Sequence, residues 1–158
     1  MSEPITILVG TMTGTAELVA DEVKDALTAE DVAAEVLVMD KLTPADFDRP
    51  GCFLICTSTY GQGDVPDNAR DFFAALEAAR PDLGRVQYGV IALGDRTYAQ
   101  TFCFGGKRFD QLLTALGAKR LGNILLHDAS AGTIPEEVAV EWARHWFREF
   151  LQGRSEAA

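Results

Sequence analysis

The chain has 158 residues, 47% of them hydrophobic and 24% charged, with a formal net charge of −10 at pH 7. That length fits one well-packed domain and is short for two, so residues 1–158 are expected to form a single domain with a frayed tail at 153–158. The acidic balance argues against nucleic acid and anionic membrane as partners and towards a basic protein, although solubility alone also explains it.

Two periods alternate along the chain. Residues 5–9, Ile-Thr-Ile-Leu-Val, form a near-continuous apolar run of the kind that a strand covered on both faces requires. The stretch "GTMTGTAE" then hands over to a helical stripe of Ala16, Val19, Ala20, Val23 and Leu27, with Glu17, Asp21, Glu22, Lys24 and Asp25 off the stripe. A second strand is expected at 36–39, and a short helical turn follows, with Thr43 as N-cap and Pro44 at its first position. The third strand, 52–56, precedes a helix carrying Ala69, Phe72, Phe73 and Leu76. The fourth, 90–93, precedes Phe109, Leu112, Leu113 and Leu116, with Gly117 as the stop, and the fifth lies at 124–126. A last helix from Pro135 to about Leu151 places Val138, Trp142, Trp146 and Phe150 in register. Strand-helix alternation of this kind builds right-handed βαβ units, hence a parallel sheet with helices on both faces.

Open parallel sheets bind ligands beyond the carboxyl ends of their strands. At the first such end, Thr11, Thr13 and Thr15 offer hydroxyls, Gly14 admits close backbone approach, and the following helix start offers amides and a positive dipole end. No lysine is present for a Walker loop, and the G-x-G-x-x-G fingerprint is missing. Neutral donors suit a single phosphate on a mononucleotide without metal; the same residues would also cap an ordinary helix. The third strand ends in "CTSTYGQGDVPDN", which presents Tyr60 on a glycine-rich loop, and the fourth in "LGDRTYAQTFCFGG", which presents Tyr98 on another. Two tyrosines flanking a phosphate site can sandwich a flat ring.

These three segments together resemble the flavodoxin-like FMN-binding proteins, most closely the MioC-type short flavodoxins and the FMN domains of diflavin reductases. "TMTGTAE" is similar to that family's phosphate loop, "STYGQGDVPDNARDF" to its first flavin loop, and "ALGDRTY…FC" with "LGAKRL" to its second flavin loop and next helix. The resemblance implies an α/β fold: a flavodoxin-like three-layer sandwich with a five-stranded parallel sheet of order 2-1-3-4-5 and helices on both faces. It makes Thr11, Met12, Thr13, Gly14, Thr15 and Ala16 the phosphate cradle. Ser58, Thr59, Tyr60 and Gly61 become one wall of the flavin site, and Leu93, Gly94, Asp95, Tyr98, Phe102 and Cys103 the other. One extra residue separates Tyr98 from Phe102 relative to the family's usual spacing, which leaves Tyr98 as the stacking residue and Phe102 in reserve. No large insertion follows Gly122, in keeping with the short form.

The implied function is that of an FMN-dependent electron carrier. It would shuttle single electrons between a basic flavoprotein reductase and an acceptor protein through a semiquinone that the Gly61 peptide stabilises. Acidic Asp64 and Asp95 beside the ring would lower the potential of the fully reduced flavin. The alternative is an NAD(P)H-dependent FMN quinone reductase, but no nicotinamide site is visible, so an electron-transfer flavoprotein without a substrate of its own is expected. A phosphoacceptor signalling domain of the same topology would need acidic residues where Gly10-Thr11 and Cys56-Thr57 stand.

The 3 cysteines have neither CxxC spacing nor a histidine pair, so no disulfide framework or metal site is expected. Cys52 and Cys56 read as core, and Cys103 as a small packing residue near the flavin. His127 and Asp128 fall at the end of the last strand, within reach of the site, and His145 is expected in solvent. Without a basic leader or a spanning apolar run, the protein is expected to be a cytoplasmic monomer.

Overall fold

The structure, a computed structural model, describes residues 4–11, 14–59, 66–95 and 103–152. Among the described residues, six strands and four α-helices follow one another: β1 (Ile5–Gly10), α1 (Thr15–Thr28), β2 (Ala34–Val38), β3 (Cys52–Thr57), α2 (Asp67–Ala79), β4 (Gln87–Gly94), α3 (Phe104–Ala115), β5 (Lys119–Arg120), β6 (Leu125–Asp128) and α4 (Pro135–Phe150). The sheet is wholly parallel in the order β2-β1-β3-β4-β5, and β6 also pairs with β4. The order expected from the resemblance is therefore the one observed.

The fifth position is split between two short strands. Lys119–Arg120 pair with the start of β4, at Gln87 and Tyr88, whereas Leu125–Asp128 pair with its end, from Ile91 to Gly94. Sequence reading expects only 124–126 there, because two residues of Lys-Arg carry no apolar strand signal. The joint turns at Gly122, whose φ of +76° belongs to the left-handed region and whose missing Cβ leaves room for the Phe150 ring.

Strand alternation divides the interior into two cores. Ile5, Ile7 and Val9, Cys52, Leu54 and Cys56, and Ile91 and Leu93 face α1 and α4; Leu8, Phe53, Ile55, Tyr88, Val90 and Ala92 face α2 and α3. Every residue of β1 and β3 is buried, which is why those strands read as unbroken apolar runs rather than as alternating ones. On the α2/α3 side the rings of Phe47, Phe53, Phe72, Phe73 and Phe109 touch in series at 5.0–6.3 Å. Each fully buried ring contributes roughly 1.5–3 kcal/mol.

The last helix is rotated from its expected register. Its buried stripe is Ala139, Ala143, Trp146 and Phe147, while Val138, Trp142 and Phe150 are only half-buried. The small alanines sit closest to the interior, and the large Trp142 is left on the flank, stacked on Trp146 at 5.9 Å. Trp146 itself lies over Gly89, where a Cβ would come within 2.8 Å of the indole, and its Nε1 donates to the Leu121 carbonyl at 2.9 Å. The expected turn after Thr43 is a 3-10 helix, Pro44–Asp48, tied by the Thr43 amide to the Asp46 carboxylate at 2.9 Å. Among the described residues, no helix is long and apolar enough to cross a membrane.

Candidate functional site

Because β1 lies between β2 and β3, the chain leaves β1 in one direction and returns on the other side, and a crevice opens at that reversal. The carboxyl ends of β1, β3 and β4 are neighbours there. The Ser58 amide, donating to the Gly10 carbonyl at 3.0 Å, carries the β1–β3 pairing one step past the strands.

The first loop is built around Gly14. It caps α1 with φ of +93°, a conformation that glycine adopts without penalty, and among the described residues nothing lies within 4 Å of where a Cβ would stand. The Gly14 amide donates to Thr11 Oγ1 at 2.9 Å, which leaves the threonine hydroxyl hydrogen available to a ligand. The first rung of α1 runs from the Leu18 amide to the Gly14 carbonyl, so the amides ahead of Leu18 lie outside the helical ladder, at the positive end of the dipole. Thr15 and Glu17 are exposed, whereas Ala16 is fully buried and its carbonyl accepts from the Cys56 thiol at 3.5 Å. Met12 and Thr13 lie outside the described residues.

Asn68, which the sequence analysis carries only within the "STYGQGDVPDNARDF" segment, secures this loop from the other side. Its Oδ1 accepts from the Thr11 amide at 2.7 Å, and its Nδ2 reaches the Val9 carbonyl at 3.4 Å. The signal available in the sequence was its place in that segment, which by itself assigns the side chain no partner.

The second and third loops are joined at their bases. Thr59 Oγ1 donates to the Leu93 carbonyl at 3.1 Å and accepts from the Gly105 amide at 3.0 Å. Leu93 is buried in the α1/α4 core, so it offers the site only its backbone. Gly94 lies against Cys103, whose amide nitrogen would be 2.6 Å from a Cβ at Gly94. Cys103 is fully buried with φ of +57°, and its thiol is shared between the carbonyls of Ala92, at 3.3 Å, and His127, at 3.6 Å. Asp95 is half-buried at the end of β4. Tyr60, Gly61 and Asp64 on one loop, and Tyr98 and Phe102 on the other, lie outside the described residues.

His127 is buried and its ring Nε2 is 3.0 Å from Thr133 Oγ1, a contact within the last turn of the sheet. The Asp128 carboxylate is spent on capping, accepting from the Ser130 amide at 2.9 Å and its hydroxyl at 2.7 Å. His145 is exposed, and Cys52 and Cys56 are buried, as the sequence suggests. Burial pushes the Cys56 thiol up to about 12, so it is no nucleophile near neutral pH. Among the described residues no three His, Cys, Asp or Glu side chains are grouped to hold a metal ion.

The chain matches the Flavodoxin family over residues 7–142. It is 41% identical to flavodoxin YqcA of Escherichia coli over 142 residues, covering 90% of this chain and 95% of that one. It is 37% identical to the E. coli protein MioC over 147 residues, with 90% and 95% covered. Among solved structures, a cysteine-to-alanine mutant of the flavodoxin from Pseudomonas aeruginosa superposes with a TM-score of 0.81 at 33% identity, covering 90% of this chain and 95% of that one. The chain belongs to the flavodoxin family, and it is an FMN-binding electron carrier.

The site fits that cofactor. A phosphate monoester with two negative charges needs several donors but no metal, and the loop around Gly14 supplies a hydroxyl and helix-start amides at the positive end of the α1 dipole. The Thr59 bonds tie the start of the second loop to both ends of the third, at Leu93 and Gly105.

Proposed function

We propose that the protein carries single electrons from a basic flavoprotein reductase to a redox acceptor protein, passing through the one-electron-reduced state of its FMN. The observation that supports this reading is the meeting, at one end of the sheet, of the Gly14 helix start with the bases of the two loops whose sequences carry Tyr60 and Tyr98. Bound FMN supplies the redox chemistry, and the protein sets its position and surroundings.

The cradle is Thr11, Met12, Thr13, Gly14, Thr15 and Ala16, with Ala16 acting through its backbone because its side chain is buried. Ser58, Thr59, Tyr60 and Gly61 form one wall. Leu93, Gly94, Asp95, Tyr98, Phe102 and Cys103 form the other, in which Leu93 and Cys103 also contribute backbone and support from below. Tyr60 and Tyr98 would stack on the ring, and the Gly61 peptide would turn towards its edge. The net charge of −10 steers a basic partner to the exposed ring edge, which makes encounter fast and sensitive to salt. The chain works as a single domain and a monomer in the cytoplasm.

Anaerobic reductive titration of the FMN-loaded protein tests the reading, followed by its absorbance with and without NAD(P)H. A long-wavelength band from the one-electron-reduced flavin, with no direct reduction by NAD(P)H, is the expected result. Direct two-electron reduction by NAD(P)H without that band would make the protein a quinone-reductase-type enzyme instead, and failure to bind FMN would overturn both.

A further inference from the structure

The N-cap residue of α3, Cys103, has a left-handed backbone and supplies no side-chain cap. The first intrahelical rung runs from the Lys107 amide to the Cys103 carbonyl at 3.1 Å, so the Gly105 amide has no acceptor within the helix. Its acceptor comes from a different loop: Thr59 Oγ1, at 3.0 Å, 46 residues away in sequence. The same hydroxyl donates at 3.1 Å to the carbonyl of Leu93, near the carboxyl end of β4.

Two glycines allow this approach. A Cβ at Gly105 would lie 2.2 Å from the Ser58 carbonyl oxygen, and one at Gly106 would lie 2.4 Å from Ala92 Cβ. The helix start is thus pressed against both the second loop and β4, and any larger residue would push them apart.

We propose that Thr59 is a positioning residue that latches the two flavin walls together: one hydroxyl bonds both edges of the third loop, where it leaves β4 and where it enters α3, and so sets the width of the slot. It acts through the loops rather than by touching the flavin. This rests on the FMN-carrier reading, and it adds that slot width is held by one side chain independently of the phosphate cradle.

Independence from the cradle gives the test its discrimination. Thr59→Val removes both bonds with little change in shape, whereas Thr59→Ser keeps the hydroxyl. Affinities of the apoprotein for FMN and for riboflavin, which lacks the phosphate, are measured by quenching of flavin fluorescence. Exchange of the Gly105 amide is followed by NMR in the same flavin-free samples.

Losing two hydrogen bonds should weaken both flavins by the same factor, roughly tenfold to thirtyfold, and speed Gly105 exchange. Thr59→Ser should bind both within about threefold of wild type on the same hydrogen-bond scale. Gly105→Ala, which spreads the walls with the hydroxyl intact, should weaken both flavins as well. The latch is overturned if Thr59→Val binds both flavins as wild type does, if it weakens FMN alone, or if Thr59→Ser binds no better than Thr59→Val. Wild-type protein that binds neither flavin would overturn the carrier reading and, with it, the purpose assigned to Thr59. A lower melting temperature of the apoprotein with unchanged flavin affinity would reduce Thr59 to an ordinary helix cap and overturn the latch.

Discussion

Replacing Gly14 by alanine separates backbone conformation from steric contact at the phosphate cradle. Among the described residues nothing lies within 4 Å of the position that the new Cβ would take, so the substitution clashes with none of them. What it does cost is the left-handed backbone at φ of +93°, about 1–2 kcal/mol for a residue with a side chain. In a protein of 158 residues, that loss lowers the melting temperature by roughly 2–8 °C. The strain is relieved by rotating φ, which breaks the 2.9 Å bond from the Gly14 amide to Thr11 Oγ1 and turns the helix-start amides away from the phosphate. With about 1 kcal/mol more for that hydrogen bond, FMN affinity should fall roughly 30-fold to 150-fold, and riboflavin affinity should stay unchanged. Gly117→Ala is the matched control: its φ is +100° and its would-be Cβ meets only ordinary contacts beyond the far end of α3. It should melt lower by a similar amount and bind FMN as wild type does. Equal losses of FMN affinity in the two variants, or none in Gly14→Ala, would refute the argument that this glycine shapes the cradle.

Gly89→Ala forces a methyl to within 2.8 Å of the Trp146 indole and 3.0 Å of Leu54, in a core with no slack. Urea unfolding should show a loss of about 1–3 kcal/mol, with the larger value if the Trp146 bond to Leu121 breaks; an unchanged midpoint would mean that the helix shifts freely. Cys56 predicts a pH dependence. Its folded value, near 12, lies above the ordinary 9.0, so the folded state keeps the thiol proton that the unfolded chain loses, and stability falls as pH rises above 9. From pH 8 to 10 that loss is about 1.4 kcal/mol. Cys56→Ala should therefore start less stable at pH 8 but decline by about that much less than wild type between the two pH values. Parallel declines would contradict the assignment.

The strands that position the site were legible because they are buried on both faces. β1 and β3 carry apolar residues at nearly every position, and that signal survives without knowledge of partners. The edge was not: Lys119–Arg120 form a strand only because the β4 backbone offers a ladder beside them. The rotation of α4 escaped for a related reason. Periodicity groups large apolar residues, but the sheet selects by room, so Ala139 and Ala143 face inward and Trp142 is left at the flank.

At the site, residue types announced the chemistry and contacts assigned the roles. Threonines and a glycine between a strand and a helix read as an anion cradle from local rules alone. That Asn68 secures the loop, that Cys103 turns its thiol inward, and that Thr59 bonds two segments at once depends on chain neighbours 57, 24 and 46 residues away.

The sequence by itself determined the alternation of strands and helices, the identity of the three loops at the strand ends, and through them the family and the flavin cofactor. These are written in local patterns of burial and turn chemistry, which need no partner to be read. Only the tertiary structure decided which side chains face the crevice and which lie beneath it. The reason is that a hydroxyl, a thiol or an amide takes its role from the nearest donor or acceptor, and here those come from segments that meet only when the sheet is assembled.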